Sequence, residues 1–221
     1  SVVLRQNGVD QPYTGFLQGG ETTPPIPLTG GAALTPLEAF VDYLPVGFAH
    51  ILPKGLDHIL FVLGLFFLSS RLRPLIWQVS AFTLAHTITL ALGVLGVVTV
   101  SPDIVEPLIA ASIVYVAVEN IFTRHLSPWR PLVIFGFGLL HGLGFASVLG
   151  EFGLPRDQFI AALVGFNVGV ELGQLCVIAI AFAVVGVWFR SHPKYRGRIA
   201  IPASITIAVI GAYWFVERVF L

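Results

Sequence analysis

Residues 158–187 read QFIAALVGFNVGVELGQLCVIAIAFAVVGV, thirty positions with a single charged side chain, Glu171. As a helix rising 1.5 Å per residue the run would extend about 45 Å, more than the roughly 30 Å of hydrocarbon in a bilayer. It reads as a transmembrane helix. Comparable runs lie at about 46–69, 75–98, 104–122, 131–150 and 199–220. The expected fold is therefore all-α, a polytopic membrane bundle of about six transmembrane helices. Composition agrees: the 221 residues are 56% hydrophobic and 11% charged, with a mean hydropathy of +0.87, against roughly 25% charged residues in a soluble domain. Net charge is zero, which offers no basic face for nucleic acid and no acidic field for a polycation. Cys176 is the only cysteine, so an internal disulfide framework and a Cys-rich zinc or iron–sulfur site are excluded. It is expected to be a small core residue.

Residues 1–36 are rich in Gly, Pro, Thr and Gln and show no useful periodicity, so they read as an extended arm or linker ahead of a transmembrane domain over 37–221. The start at Ser1, with neither methionine nor a signal sequence, suggests a processed or truncated product. Thr35-Pro36-Leu37-Glu38 has the form of a helix start. Leu37, Phe40, Val41 and Leu44 recur at helical spacing beside Glu38 and Asp42, the pattern of a short helix on the membrane surface. Arg71, Arg73, Arg124, Arg130, Arg190, Lys194, Arg196 and Arg198 all fall in loops on one side, without Asp or Glu. The positive-inside rule makes that side cytoplasmic. Asp103, Glu106, Glu151, Arg156 and Asp157 lie opposite, and both termini are then extracytoplasmic.

Ionisable residues within hydrocarbon cost roughly 2.5–3.5 kcal/mol each on insertion scales, so they are usually kept for pairing or function. Asp57 and His58 fall near mid-bilayer in the first span, His86 in the second, His141 in the fourth and Glu171 in the fifth. Ser80, Thr83, His86 and Thr87 make one polar stripe, as do Ser112, Tyr115 and Glu119, and Asn167, Glu171 and Gln174. Gly165, Gly169 and Gly173 form a separate stripe suited to close helix packing, and Gly138 and Gly142 offer the same beside His141. Imidazole nitrogen with carboxylate oxygen suits a divalent nickel, cobalt, zinc, iron or manganese ion. With no Met and one Cys, the soft ligands that select copper(I) are nearly missing. Pro53 and Gly55 can interrupt the first span, and secondary transporters often bind their substrate at interrupted helices. His50 falls near the outer boundary, either as a receiving ligand or as an interfacial polar residue. His125 and His192 belong to cytoplasmic loops and read as solvated. Two other readings of the cluster stay open: a dry hydrogen-bonded network that locks the bundle, and a proton relay.

Five ordered segments, 47–58 (GFAHILPKGLDH), 82–87 (FTLAHT), 118–120 (VEN), 137–146 (FGLLHGLGFA) and 166–174 (FNVGVELGQ), together resemble the HupE/UreJ family of membrane proteins. The likeness is to the branch with an extracytoplasmic amino-terminal region. It implies a multi-span, permease-like protein of the bacterial inner membrane linked to nickel supply, with His50, Asp57, His58 and His141 as candidate metal residues. Six residues separate His50 from Asp57, one more than in the family members linked to nickel.

The leading expectation is a transition-metal permease with His50, Asp57, His58, His86, His141 and Glu171 as metal residues and Thr83, Glu119, Asn120, Asn167 and Gln174 in support. The alternatives are an intramembrane metalloenzyme acting on a lipid or membrane-bound peptide, and an accessory subunit of a membrane complex. The expected partners are the lipid bilayer, the metal ion and either another membrane protein or further copies of the chain. The sequence has no P-loop, and neither Gly-x-Ser-x-Gly nor His-Glu-x-x-His occurs.

Overall fold

The structure, a computed structural model, describes residues 2–4, 13–15, 34–69, 71–152 and 158–220, with the backbone alone over 2–4, 13–15 and 147–152. Most of the expected arm lies outside these residues, as do the side chains of Glu151, Arg156 and Asp157. Within the arm, β1 (Val2–Leu4) and β2 (Tyr13–Gly15) pair antiparallel, with Val2 opposite Gly15. The rest is helical: α1 (Pro36–Ile51), α2 (Leu56–Leu68), α3 (Leu72–Val94), α4 (Pro102–Phe122), α5 (Arg130–Phe152), α6 (Phe159–Ala181), α7 (Val187–Phe189) and α8 (Ile201–Phe220). A π-helical turn, Phe182–Gly186, joins α6 to α7, and another, Arg196–Ala200, leads into α8. Four stretches are long and apolar enough to cross a membrane: α3, α4, Phe159–Phe189 and Arg196–Phe220. The bent pair α1–α2 makes a fifth, and α5 is apolar over Arg130–Ala146. Large apolar side chains such as Trp77, Ile160, Val209 and Phe220 point outward, as a lipid-facing surface requires.

The start of α1 is the expected one. Thr35 Oγ1 accepts the Glu38 N–H at 3.3 Å, and the Thr35 N–H donates to Glu38 Oε2 at 2.8 Å, a reciprocal cap that satisfies two otherwise orphaned groups. The expected surface helix, however, is the first part of a continuous helix that runs through Pro45 and buries Ala39, Gly47 and Ile51. Helix packing explains the difference. A Cβ added at Gly165 would lie 2.3 Å from the Phe40 carbonyl oxygen, and one at Gly169 would lie 2.0 Å from that of Leu44. Only glycine lets the backbones of α1 and α6 come so close.

The chain then turns by 71° between α1 and α2, at the interruption expected from Pro53 and Gly55. The turn leaves few backbone groups unpaired: Leu52 N–H donates to Phe48 O at 2.9 Å, Gly55 N–H to Ile51 O at 3.1 Å and Ile59 N–H to Gly55 O at 2.9 Å. Such irregular backbone is tolerated at membrane depth where it is buried in protein.

Helix directions follow from the contacts at small residues. Phe40, Leu44 and Ile51 of α1 meet Gly165, Gly169 and Gly173 of α6 in ascending order, so these helices are parallel. In the same way Phe82, His86 and Gly93 of α3 meet Gly138, Gly142 and Ala146 of α5. Helices α4 and α8 are antiparallel, since Ala110 lies by Gly211 while Asn120 bonds to Ser204. Successive crossings by α1–α2, α3, α4, α5, α6 and α8 give this set of directions.

Candidate metal centre

Four histidines from four helices converge beside the bend. His50 ends α1, Asp57 and His58 open α2, His86 lies midway along α3, and His141 lies on α5. The His58 ring centroid is 4.8 Å from that of His50, 6.0 Å from His86 and 4.8 Å from His141. Two groups of ligand atoms, His50/His58/His86 and Asp57/His58/His141, each lie within 4.8 Å of one another, and His58 belongs to both. His58, His86 and His141 are buried, while His50 and Asp57 are half-buried. The bend is what brings His50 inward. Turning the chain after Ile51 places the His50 ring against His58. Gly55 permits the turn, for a Cβ there would sit 2.3 Å from the His50 carbonyl oxygen.

The hydrogen bonds around the rings decide which nitrogen of each is free. His58 Nδ1 lies 2.9 Å from Asp57 Oδ1, to which it donates. Asn167 spends its amide N–H on the Leu163 carbonyl at 2.8 Å, so its oxygen, 3.2 Å from His86 Nδ1, accepts from that nitrogen. Ser112 donates its only hydroxyl proton to the Ile109 carbonyl at 2.7 Å, so its oxygen, 3.1 Å from His141 Nε2, accepts there. Each of these histidines is thus left with one bare ring nitrogen, Nε2 of His58 and His86 and Nδ1 of His141. These atoms and His50 Nε2 are buried and have no hydrogen-bond partner. An unpaired buried polar group costs about 1–3 kcal/mol. One ring nitrogen held by an oxygen and the other free is the arrangement of a metal-ligating histidine. The donor set fits a divalent first-row ion.

The walls are aromatic. The Phe145 ring centroid is 4.0 Å from that of His50, Phe82 is 5.0 Å from His141 and stacks on His86, and Phe61 is 5.4 Å from His141. These rings shield the free nitrogens from water.

The other expected residues fall into separate networks. Glu171 is in neither ligand group: its Oε1 accepts from Ser80 Oγ at 2.7 Å and its Oε2 from Thr83 Oγ1. Thr83 Oγ1 also lies 2.9 Å from Gln174 Oε1. Glu119 pairs with Arg130 at 2.8 Å, and Arg130 Nε donates to Gln78 Oε1 at 2.9 Å, a buried tie between α3, α4 and α5. Asn120 Nδ2 donates to the Gly64 carbonyl at 2.8 Å and to Ser204 Oγ at 3.1 Å, joining α4 to α2 and α8. Asn167 does touch the centre, through His86. His125 and His192 are exposed in their loops. Ser112 was visible only as part of a polar stripe, and its bond to His141 had no signal in the spacing. Arg130 read as a loop charge, yet it is 2% exposed.

These features define a multi-span membrane protein with an intramembrane cluster of imidazoles and a carboxylate at a broken helix. The family model described as HupE / UreJ protein matches residues 30–218, and the chain belongs to that family. No curated protein and no solved structure matches the chain.

Proposed function

We propose that the protein is a permease for a divalent transition metal, a nickel- or cobalt-like cation, in the bacterial inner membrane with both termini outside. The observation that carries this reading is the set of four buried, partnerless ring nitrogens on four helices at a broken span. Membership of the HupE/UreJ family supports it. The metal is the cargo. The two overlapping groups offer it neighbouring positions: His50, His58 and His86 on one side, Asp57, His58 and His141 on the other, with His58 common to both. In the first position Asp57 orients His58 through Nδ1 and supplies a compensating negative charge. Entry is from outside, where Asp103 and Glu106 attract a cation, and a negative-inside potential favours that direction by about 2.3 kcal/mol per elementary charge per 100 mV.

The test has two parts. Purified protein is titrated with nickel, cobalt, zinc, iron and manganese, and vesicles containing the protein and a lumenal metal reporter are given a negative-inside potential. Binding of one of these ions together with potential-driven uptake that is lost in His58→Ala supports the permease. Tight binding without flux would favour the intramembrane metalloenzyme or accessory-subunit readings, and absence of binding to all five would leave the cluster as a structural network.

A further inference from the structure

The histidine centre is walled in by aromatic rings but has one open edge, at Asp57. This carboxylate takes both of its hydrogen bonds on one oxygen: Oδ1 accepts the His58 backbone N–H at 2.8 Å and His58 Nδ1 at 2.9 Å. Oδ2 accepts nothing from the described residues and is not buried. The Asp57 side chain is 26% exposed, against 3% for His58. Oδ2 is therefore the accessible corner of the Asp57/His58/His141 group.

Lys54 stands three residues before Asp57, on the bend. Its backbone is held in place. The Lys54 N–H donates to the Ala49 carbonyl at 3.3 Å, and Gly55, next in the chain, is wedged where a Cβ would lie 2.3 Å from the His50 carbonyl oxygen and 3.3 Å from His58 Nδ1. The Lys54 side chain is exposed, as are Pro53 and Leu56 on either side of the Lys54-Gly55 pair. Among the described residues no carboxylate lies within ion-pair distance of its ammonium. Yet the bend is not at the end of a span: Ile51 packs on Gly173, near the midpoint of the 31-residue apolar stretch Phe159–Phe189. A charge set against the middle of an apolar run is costly and is usually kept beside a partner or a water-filled cavity. Asp57 is the acidic residue nearest to Lys54 in the chain. Three residues separate two Cα atoms by at most about 11 Å, a gap that these two side chains can close, because lysine carries its ammonium on a flexible four-carbon stem.

We propose that Lys54 is the centre's built-in counter-cation, competing with the metal for Asp57 Oδ2. Two positions are open to the ammonium: off the carboxylate, as here, where Oδ2 can receive an ion, and on Oδ2. As an ion leaves, Lys54 takes its place, so the carboxylate keeps a positive partner. The role in transport rests on the permease reading: a conducting site must bind its ion weakly enough to let it go, and a competing ammonium lowers the affinity.

Two measurements on the purified full chain test the competition without any flux. Dicyclohexylcarbodiimide, which enters membranes, joins a carboxylate and an amine in contact as an amide with loss of water. Metal-free protein should yield a Lys54–Asp57 link, read by mass spectrometry of the digest, and nickel should suppress it. Lys54→Met should bind nickel roughly tenfold more tightly, toward the lower end of what one neighbouring unit charge does to a divalent ion. Lys54→Arg keeps the charge and should bind like the parent. A link that never forms, or one that nickel leaves undiminished, overturns the proposal, as does parental affinity in Lys54→Met. In vesicles Lys54→Met should take up nickel more slowly than the parent because release is slowed, and equal uptake would overturn the role in release. No nickel binding by the parent protein would sink the permease reading instead, and the carbodiimide link would still decide whether Lys54 reaches Asp57.

Discussion

Replacing Asn167 by alanine removes a residue that never reaches the metal position. Its amide oxygen accepts from His86 Nδ1 at 3.2 Å, and its amide nitrogen is tied to Leu163, so the amide cannot easily turn round. In Asn167→Ala the His86 N–H loses its acceptor in a fully buried place, and the ring is free to move its proton to Nε2, the nitrogen that faces the cluster. Loss of such an orienting partner typically weakens metal affinity 10–100-fold, about 1.4–2.8 kcal/mol at 1.4 kcal/mol per tenfold change. Competition titration against a metal-sensitive dye in detergent measures the affinity, and a melting curve on the same sample measures stability. Asn167→Asp keeps an acceptor and should recover much of the affinity. Two results would refute the reasoning: wild-type affinity in Asn167→Ala, or an Asp variant that binds no better than the Ala variant while melting normally.

His58→Ala should lose more than any other single substitution in the centre, because His58 belongs to both ligand groups, whereas His125→Ala and His192→Ala should titrate like the parent protein. Glu119→Gln strips the partner from a buried arginine 2.8 Å away, which typically costs about 3–5 kcal/mol. Its melting temperature should fall while the metal affinity of the folded fraction stays the same, and reduced affinity would place the pair in the metal path. Gly169→Val should prevent α1 from seating on α6, since even a Cβ would lie 2.0 Å from the Leu44 oxygen. Little folded protein should be recovered by size-exclusion chromatography, and a normal yield would contradict the packing described.

The membrane class and the similar position of the ionisable residues along their apolar runs were legible in the residue order because both are one-dimensional. Run length decides whether a helix can cross hydrocarbon, and a fixed rise per residue converts position into depth. That is why His58, His86 and His141 could be grouped before any contact was known. The glycine stripes on α5 and α6 were legible for the same reason, since helical period decides which residues share a face. Which face meets which neighbour depends on how the helices rotate and where the chain bends, and only the tertiary structure decided that. The 71° turn set His50, at the end of α1, against His58 of α2. The packing of α6 on α3 carried Asn167 to His86 and, one turn further along the same face, set Glu171 against Ser80 and Thr83. Likewise Arg130 looked like one more loop charge until the ends of α3, α4 and α5 closed around it. Sequence patterning reports the polarity of a helix face, but a hydrogen bond or a ligand set needs two faces at a definite angle, and that angle is set by packing between segments far apart in the chain.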